Sequence, residues 1–334
     1  MKRISILLLT GLLFQGAYAQ TYRTYAQRLG YPKGARVLLL HMDDGGMSYD
    51  SNIGIEKVLQ KGVAPSLSVM MPCPWAPQIV RYILSHPGTD AGLHLTLTSE
   101  WKNYRWGPLA GKSLVPGLTD PEGCFWPDAS DVVKHSSSRE VGLEIRAQLD
   151  RAETMGFHPT HLDTHMGVLF DKPSFLMQYI HLGIEKHIPI MLPGGKDTYI
   201  ESQIHAPDSV IRKIQKLGKM IWAAGLPVLD DLHNTSYDWK IPAGMKRDDA
   251  NLLRWREGMY EKTLLQLKPG LTMVIMHCTD PSSIFSHISN SGDIRKADML
   301  VMLDPAFRKF LKDHGFILTT WRELARRRAL VGKS

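Results

Sequence analysis

Cysteine is scarce: 334 residues hold only Cys73, Cys124 and Cys278, with no CxxC spacing among them. At most one disulfide can form, so a disulfide-framed scaffold and a cysteine-ligated zinc site are both excluded. A strong excess of one charge is also missing, since 40 Lys and Arg face 33 Asp and Glu, a formal +7. Much of that excess lies in the terminal run RELARRRALVGKS, which reads as one solvated helix face. No nucleic-acid motif accompanies it, so a nucleic-acid partner is not expected. Internal repeats and low-complexity tracts are absent, which excludes solenoids and arrays. No apolar run reaches the ~20 residues of a membrane span.

What is present begins with MKRISILLLTGLLFQGAYAQ. Lys2 and Arg3, the apolar run from Ile4 to Phe14 and the small-x-small site Ala17-Tyr18-Ala19 have the order of a secretory signal. The expected product is an exported chain, periplasmic or extracellular, with residues 1–19 removed and 20–334 as a single domain. The sequence leaves a homodimer open.

Short apolar runs then alternate with segments of helical period, the mark of a βαβ architecture. Strands are expected at 35–42, 66–71, 91–98, 160–165, 188–192, 226–232, 271–277 and 316–320. A helix is expected over SREVGLEIRAQLDRAETMG, opening on the capping box Ser137 to Glu140 and stopping at Gly156. Seven or eight such units predict an α/β fold, a β/α barrel of the TIM type. A long aromatic-rich loop follows the third strand, residues 99–135, with Trp101, Tyr104, Trp106, Phe125 and Trp126. A loop of that length in a compact fold is functional or disordered, and its aromatic content argues against disorder.

Polar residues gather at the C-terminal ends of the expected strands: Asp43 and Asp44, His94, His165, Asp231 with His233, and His277. In β/α barrels that face carries the chemistry. The segment PTHLDTHMG adds a row, because alternate residues of a strand share a face and His161, Asp163 and His165 then line one side. Asp44, His94 and His165 would supply one oxygen and two nitrogens, a set suited to one divalent ion, zinc or magnesium. Asp43, beside a ligand, is a candidate base and His277 a candidate acid, with Asp231 or His233 as alternatives for the latter. His161 and Asp163 suit the ring of groups that orient metal-bound histidines. Trp106, like Trp101 and Trp126, would stack on a sugar or pack the loop's own core, and Arg105 would meet an anionic sugar or remain solvated.

HMDDGG, GLHLTLT and PTHLDTH together resemble the YdjC-like carbohydrate deacetylase family, in order, approximate spacing and strand context over residues 35–320. Gly45 stands where the family commonly carries an aromatic residue or Leu. The resemblance implies a barrel-like β/α fold and metal-dependent removal of N-acetyl groups from amino sugars or oligosaccharides. It also implies Asp44, His94 and His165 as metal ligands, Asp43 as base and His277 as candidate acid. Two other expectations stand beside it: an exported metal hydrolase acting on a phosphoester or another amide, and a glycan-binding barrel without turnover.

Overall fold

A computed structural model describes residues 23–195 and 207–332. The signal-like segment 1–19 lies outside the described residues. The described residues form seven parallel strands: β1 (Arg36–Gly45), β2 (Ser66–Val69), β3 (Asp90–Leu95), β4 (Leu162–Thr164), β5 (Asp231–His233), β6 (Gly270–Met276) and β7 (Phe316–Leu318). The order across the sheet is β4-β3-β2-β1-β6-β5, and β7 pairs with β1 off this path. β1 is the hub. One edge runs beside β6 from Arg36 to Met42, while the other takes β7 along Arg36–Leu38 and β2 from His41 onward. Its run VLLL is buried throughout, as a parallel strand covered on both faces requires.

The expected seven- or eight-strand barrel is therefore seen as an open, curled parallel sheet. The segment expected as a strand at 188–192 and the first part of the one expected at 226–232 contribute single parallel bridges, Leu162 with Ile190 and Pro193 with Leu229, and regular pairing resumes only at β5 (Asp231–His233). Prolines at 189, 193 and 227 remove ladder donors there, which keeps continuous pairing from forming.

Helices follow the strands and cover the sheet. The helix Ser138–Thr154 starts as the sequence predicts: the Ser137 hydroxyl accepts from the Glu140 amide, and the Glu140 carboxylate accepts from the Ser137 amide at 2.8 Å. Gly156, at φ 80°, turns the chain away just beyond its end. At the closed end of the sheet, Asp230 accepts from the amides of Tyr25, Ala26 and Leu271, fastening the first short helix to β6. No helix among the described residues is long and apolar enough to cross a membrane.

Candidate metal centre

Because the pairings among these strands are parallel, the C-terminal ends of β1, β2, β3, β4 and β6 open onto one mouth. Asp43 and Asp44 lie at the C-terminal end of β1, His94 in β3, His165 just past β4 and His277 just past β6. A cavity of about 460 Å³ there is lined by Asp43, Asp44, His94, Glu100, His165, His277 and Arg295, with Trp101, Phe170, Tyr237 and Ile275 among its apolar walls. Asp44 reaches inward through a left-handed backbone, φ 65°. For a non-glycine residue that costs on the order of 1–3 kcal/mol and is characteristic of functional positions.

Three donor atoms meet in a triangle. His94 Nε2 and His165 Nδ1 are each 3.4 Å from Asp44 Oδ1 and 3.2 Å from one another. Donors bound about 2.0–2.2 Å from a common ion stand roughly 3.0–3.5 Å apart, so the spacing fits a shared cation. The donor atoms of Asp44, His94 and His165 form one of the groups in the described residues with metal-holding geometry. Asp44 is fully buried, yet neither of its carboxylate oxygens accepts a hydrogen bond. Buried carboxylates are costly in that state unless a cation serves them. Arg295 Nη1 lies 2.7 Å from Oδ2, a charge contact without hydrogen-bond alignment, which leaves Oδ1 facing the two imidazoles.

Each imidazole is oriented from behind. His94 Nδ1 is 2.7 Å from Asp163 Oδ1, and a carboxylate can only accept, so Nδ1 carries the proton and Nε2 points into the triangle. His165 Nε2 is 3.2 Å from Glu100 Oε2, which fixes the opposite tautomer and turns Nδ1 inward. Burial opposes charge on these rings, but the carboxylates outweigh it. Asp43 and Asp163 hold the pKa of His94 well above its ordinary value, and Glu100 and Asp44 push that of His165 up to about 9. Asp44, despite burial, is held well below the carboxylate range by Arg295, His165 and His94. Burial and Arg295 push His277 the other way, down to about 4, so its ring is neutral at pH 7.

The row His161, Asp163, His165 is layered by depth. His165 lines the cavity, Asp163 sits beneath it, and His161 lies lowest, stacked on Trp321 with ring centroids 5.2 Å apart. Gly92 makes room for it, since a Cβ there would stand 2.4 Å from His161 Nε2. Gly45 is constrained in the same way: a Cβ would stand 2.9 Å from the Ser68 carbonyl, so the backbone here leaves no room for a side chain. Other sequence candidates fall elsewhere. Trp106 is buried in the 99–135 loop and donates its indole N–H to the Thr98 carbonyl. Arg105 is engaged by Asp120 at 2.7 Å and the Phe125 carbonyl at 2.7 Å. His233 is buried and Asp231 ends up beside it, and neither lines the cavity. Of the loop's aromatic residues, Trp101 does line it.

Glu100, Arg295 and His41 reach the site without having been singled out in the sequence. Glu100 and Arg295 carry no local signal. His41 does, because the alternation of β1 puts residues 41 and 43 on one face.

A model of the family described as YdjC-like protein matches residues 37–313. A carbohydrate deacetylase of Thermus thermophilus is 29% identical over 297 residues, spanning 89% of this chain and 96% of that protein. Another carbohydrate deacetylase, from Thermoanaerobacter pseudethanolicus, is 23% identical over 86% of this chain and 98% of its own length. Among solved structures, a protein of Enterococcus faecalis provisionally named for cellobiose-phosphate cleavage superposes with a TM-score of 0.66 at 18% identity, covering 87% of this chain and 99% of the other. That likeness concerns the fold.

Proposed function

The chain belongs to the YdjC-like protein family, and on that premise we propose that it is a metal-dependent carbohydrate deacetylase. It would remove N-acetyl groups from amino sugars or their oligomers, outside the cytoplasm once residues 1–19 are cleaved. The observation that carries this reading is the 3.2–3.4 Å triangle of Asp44, His94 and His165, with the carboxyl of Asp43 beside it on the cavity wall. The names of the two bacterial relatives support the substrate class.

Asp44 Oδ1, His94 Nε2 and His165 Nδ1 would hold one divalent ion, with zinc favoured by two imidazoles and one carboxylate. A bound ion of this kind supplies a water of lowered pKa and polarises the amide carbonyl. Asp43 lines the cavity with Oδ2 3.8 Å from His94 Nε2, so it reaches the same point without belonging to the triangle, and takes the proton of the attacking water. His277 stands across the mouth, its Nε2 3.9 Å from Asp44 Oδ2. Neutral at rest, its ring takes over the proton that Asp43 removes from the attacking water and delivers it to the departing amine, so no proton is gained or lost overall. Trp101, Phe170 and Tyr237 offer apolar faces to the pyranose C–H groups.

The test is acetate release from a panel of N-acetylated oligosaccharides, with and without chelator. Chelation is expected to stop release and zinc to restore it. His165→Ala should reduce acetate to background while the circular dichroism spectrum stays native; full activity in that variant discards the mechanism. Phosphate release from phosphoesters in place of acetate would move the chemistry to another bond.

A further inference from the structure

Directly beneath the donor triangle lies a buried imidazole that the proposed reaction does not use. His41 has no solvent exposure. Its Nε2 lies 2.9 Å from Asp163 Oδ2 and 3.2 Å from Asp43 Oδ1, with the Ser68 hydroxyl at 3.1 Å. Its Nδ1 is 2.9 Å from the Ser66 hydroxyl. Two carboxylates therefore face one ring nitrogen as charge contacts, and the aligned partner of Nε2 is the Ser68 hydroxyl. A bare lone pair would face both carboxylates, so Nε2 carries the proton. We propose that His41 is a positioning residue that holds Asp43 in line with the Asp163–His94 pair, by the charge contact of its Nε2 edge and through the Ser68 hydroxyl, which accepts from Nε2 and donates to Asp43 Oδ1.

The two carboxylates do not depend on His41 equally. Asp163 keeps its 2.7 Å bond to His94 whether or not His41 is present. Asp43 has His41 as its nearest partner, and its remaining contacts are the Ser68 hydroxyl at 3.5 Å and His94 Nε2 at 3.8 Å. Removing the imidazole would leave the metal ligands oriented but let the Asp43 carboxyl swing. A buried side chain one ångström off its reacting position loses rate steeply. The charged groups facing His41 are Asp43 on its own strand and Asp163 on β4, with the neutral His161 ring at 4.9 Å. Burial alone would lower the pKa of His41, but the two carboxylates outweigh it and raise it to about 9. The bridge therefore carries a positive charge at neutral pH.

This inference rests on the deacetylase reading for its rate assay, so the experiment has two arms. In the first, His41→Leu and His41→Gln are compared with wild type for kcat, KM and zinc affinity by calorimetry. His41→Leu should lose roughly a hundredfold in kcat, the cost of a misplaced catalytic group, with KM and zinc affinity within a few-fold. His41→Gln, whose amide can donate from nearly the same place, should recover at least about tenfold of that loss. Loss of zinc binding in parallel with rate, or a wild-type kcat in His41→Leu, overturns the proposal. The second arm needs no turnover: nitrogen-15 spectra of the metal-free wild type should show Nε2 of His41 protonated from pH 6 to 8. A bare Nε2 overturns the proposal whatever the enzyme acts on. If wild type releases no acetate while Nε2 is protonated, only the deacetylase reading falls.

Discussion

Asp163 shows how one buried carboxylate can serve a site it does not enter. It has no exposure to solvent, which disfavours its charge, yet His94 and His41 hold its pKa far below the carboxylate range. Its Oδ1 keeps the proton of His94 on Nδ1, so that Nε2 faces the triangle. Asp163→Asn would retain an acceptor oxygen but lose the charge, and a ring flip or amide flip could then turn the wrong nitrogen inward. Zinc affinity is expected to fall about 10- to 100-fold, the usual cost of losing such a partner, with the fold retained; an unchanged zinc titration would remove this role. At this scale legibility followed distance along the chain. Asp43–Asp44 and the His161–Asp163–His165 row are local patterns whose spacing already implies a face. Arg295, 251 positions after Asp44, and Glu100, 65 before His165, become partners only when helix and loop fold over the mouth.

Among the elements, the loop 99–135 is fastened to the helix behind it by two carboxylates, Glu140, which accepts from the Gly117 amide at 2.6 Å, and Glu144. Glu144, fully buried, accepts from the amides of Leu109 and Ala110 at 3.1 and 2.9 Å and from the Gln148 side chain at 2.9 Å. Burial outweighs these bonds and raises its pKa to about 7. The sign follows from linkage: the folded state binds the proton more tightly than the unfolded one, whose Glu titrates near 4.3. The contribution to stability is therefore complete below about pH 4.3 and is lost as pH rises through about 7, up to roughly 3–4 kcal/mol in all. Denaturant titrations between pH 5 and 8 should show stability declining over this window in wild type. Glu144→Gln should flatten that slope while lowering stability through one mismatched amide; an unchanged slope would mean that Glu144 stays ionised. The sequence showed this loop's position and aromatic content, and β1, β2, β3 and β6 as apolar runs. It did not show the prolines of 189–193 reducing an expected strand to single bridges, because hydrophobic pattern registers burial and not whether a neighbour's ladder can be completed.

For the molecule as a whole, the centre concentrates buried charge where parallel strands end, and Arg295 already compensates part of it. With Asp44 Oδ2 against that guanidinium, the fold does not require a cation to exist, unlike small zinc domains that unfold without metal. Oδ1 remains without a hydrogen-bond partner, so a divalent ion entering between it and the imidazoles binds the folded state alone and must displace protons that His94 and His165 hold firmly. Two consequences follow together. Zinc at a hundredfold excess over its Kd should add about 2.7 kcal/mol of stability, a melting rise of several degrees. That rise should shrink as pH drops below about 9, because each ligand imidazole then demands a larger proton displacement. Differential scanning calorimetry of chelated and zinc-loaded protein at pH 6 and pH 8 measures both. A zinc-induced shift equal at the two pH values would show that the ion does not compete with the His94 and His165 protons, and would place it outside the triangle.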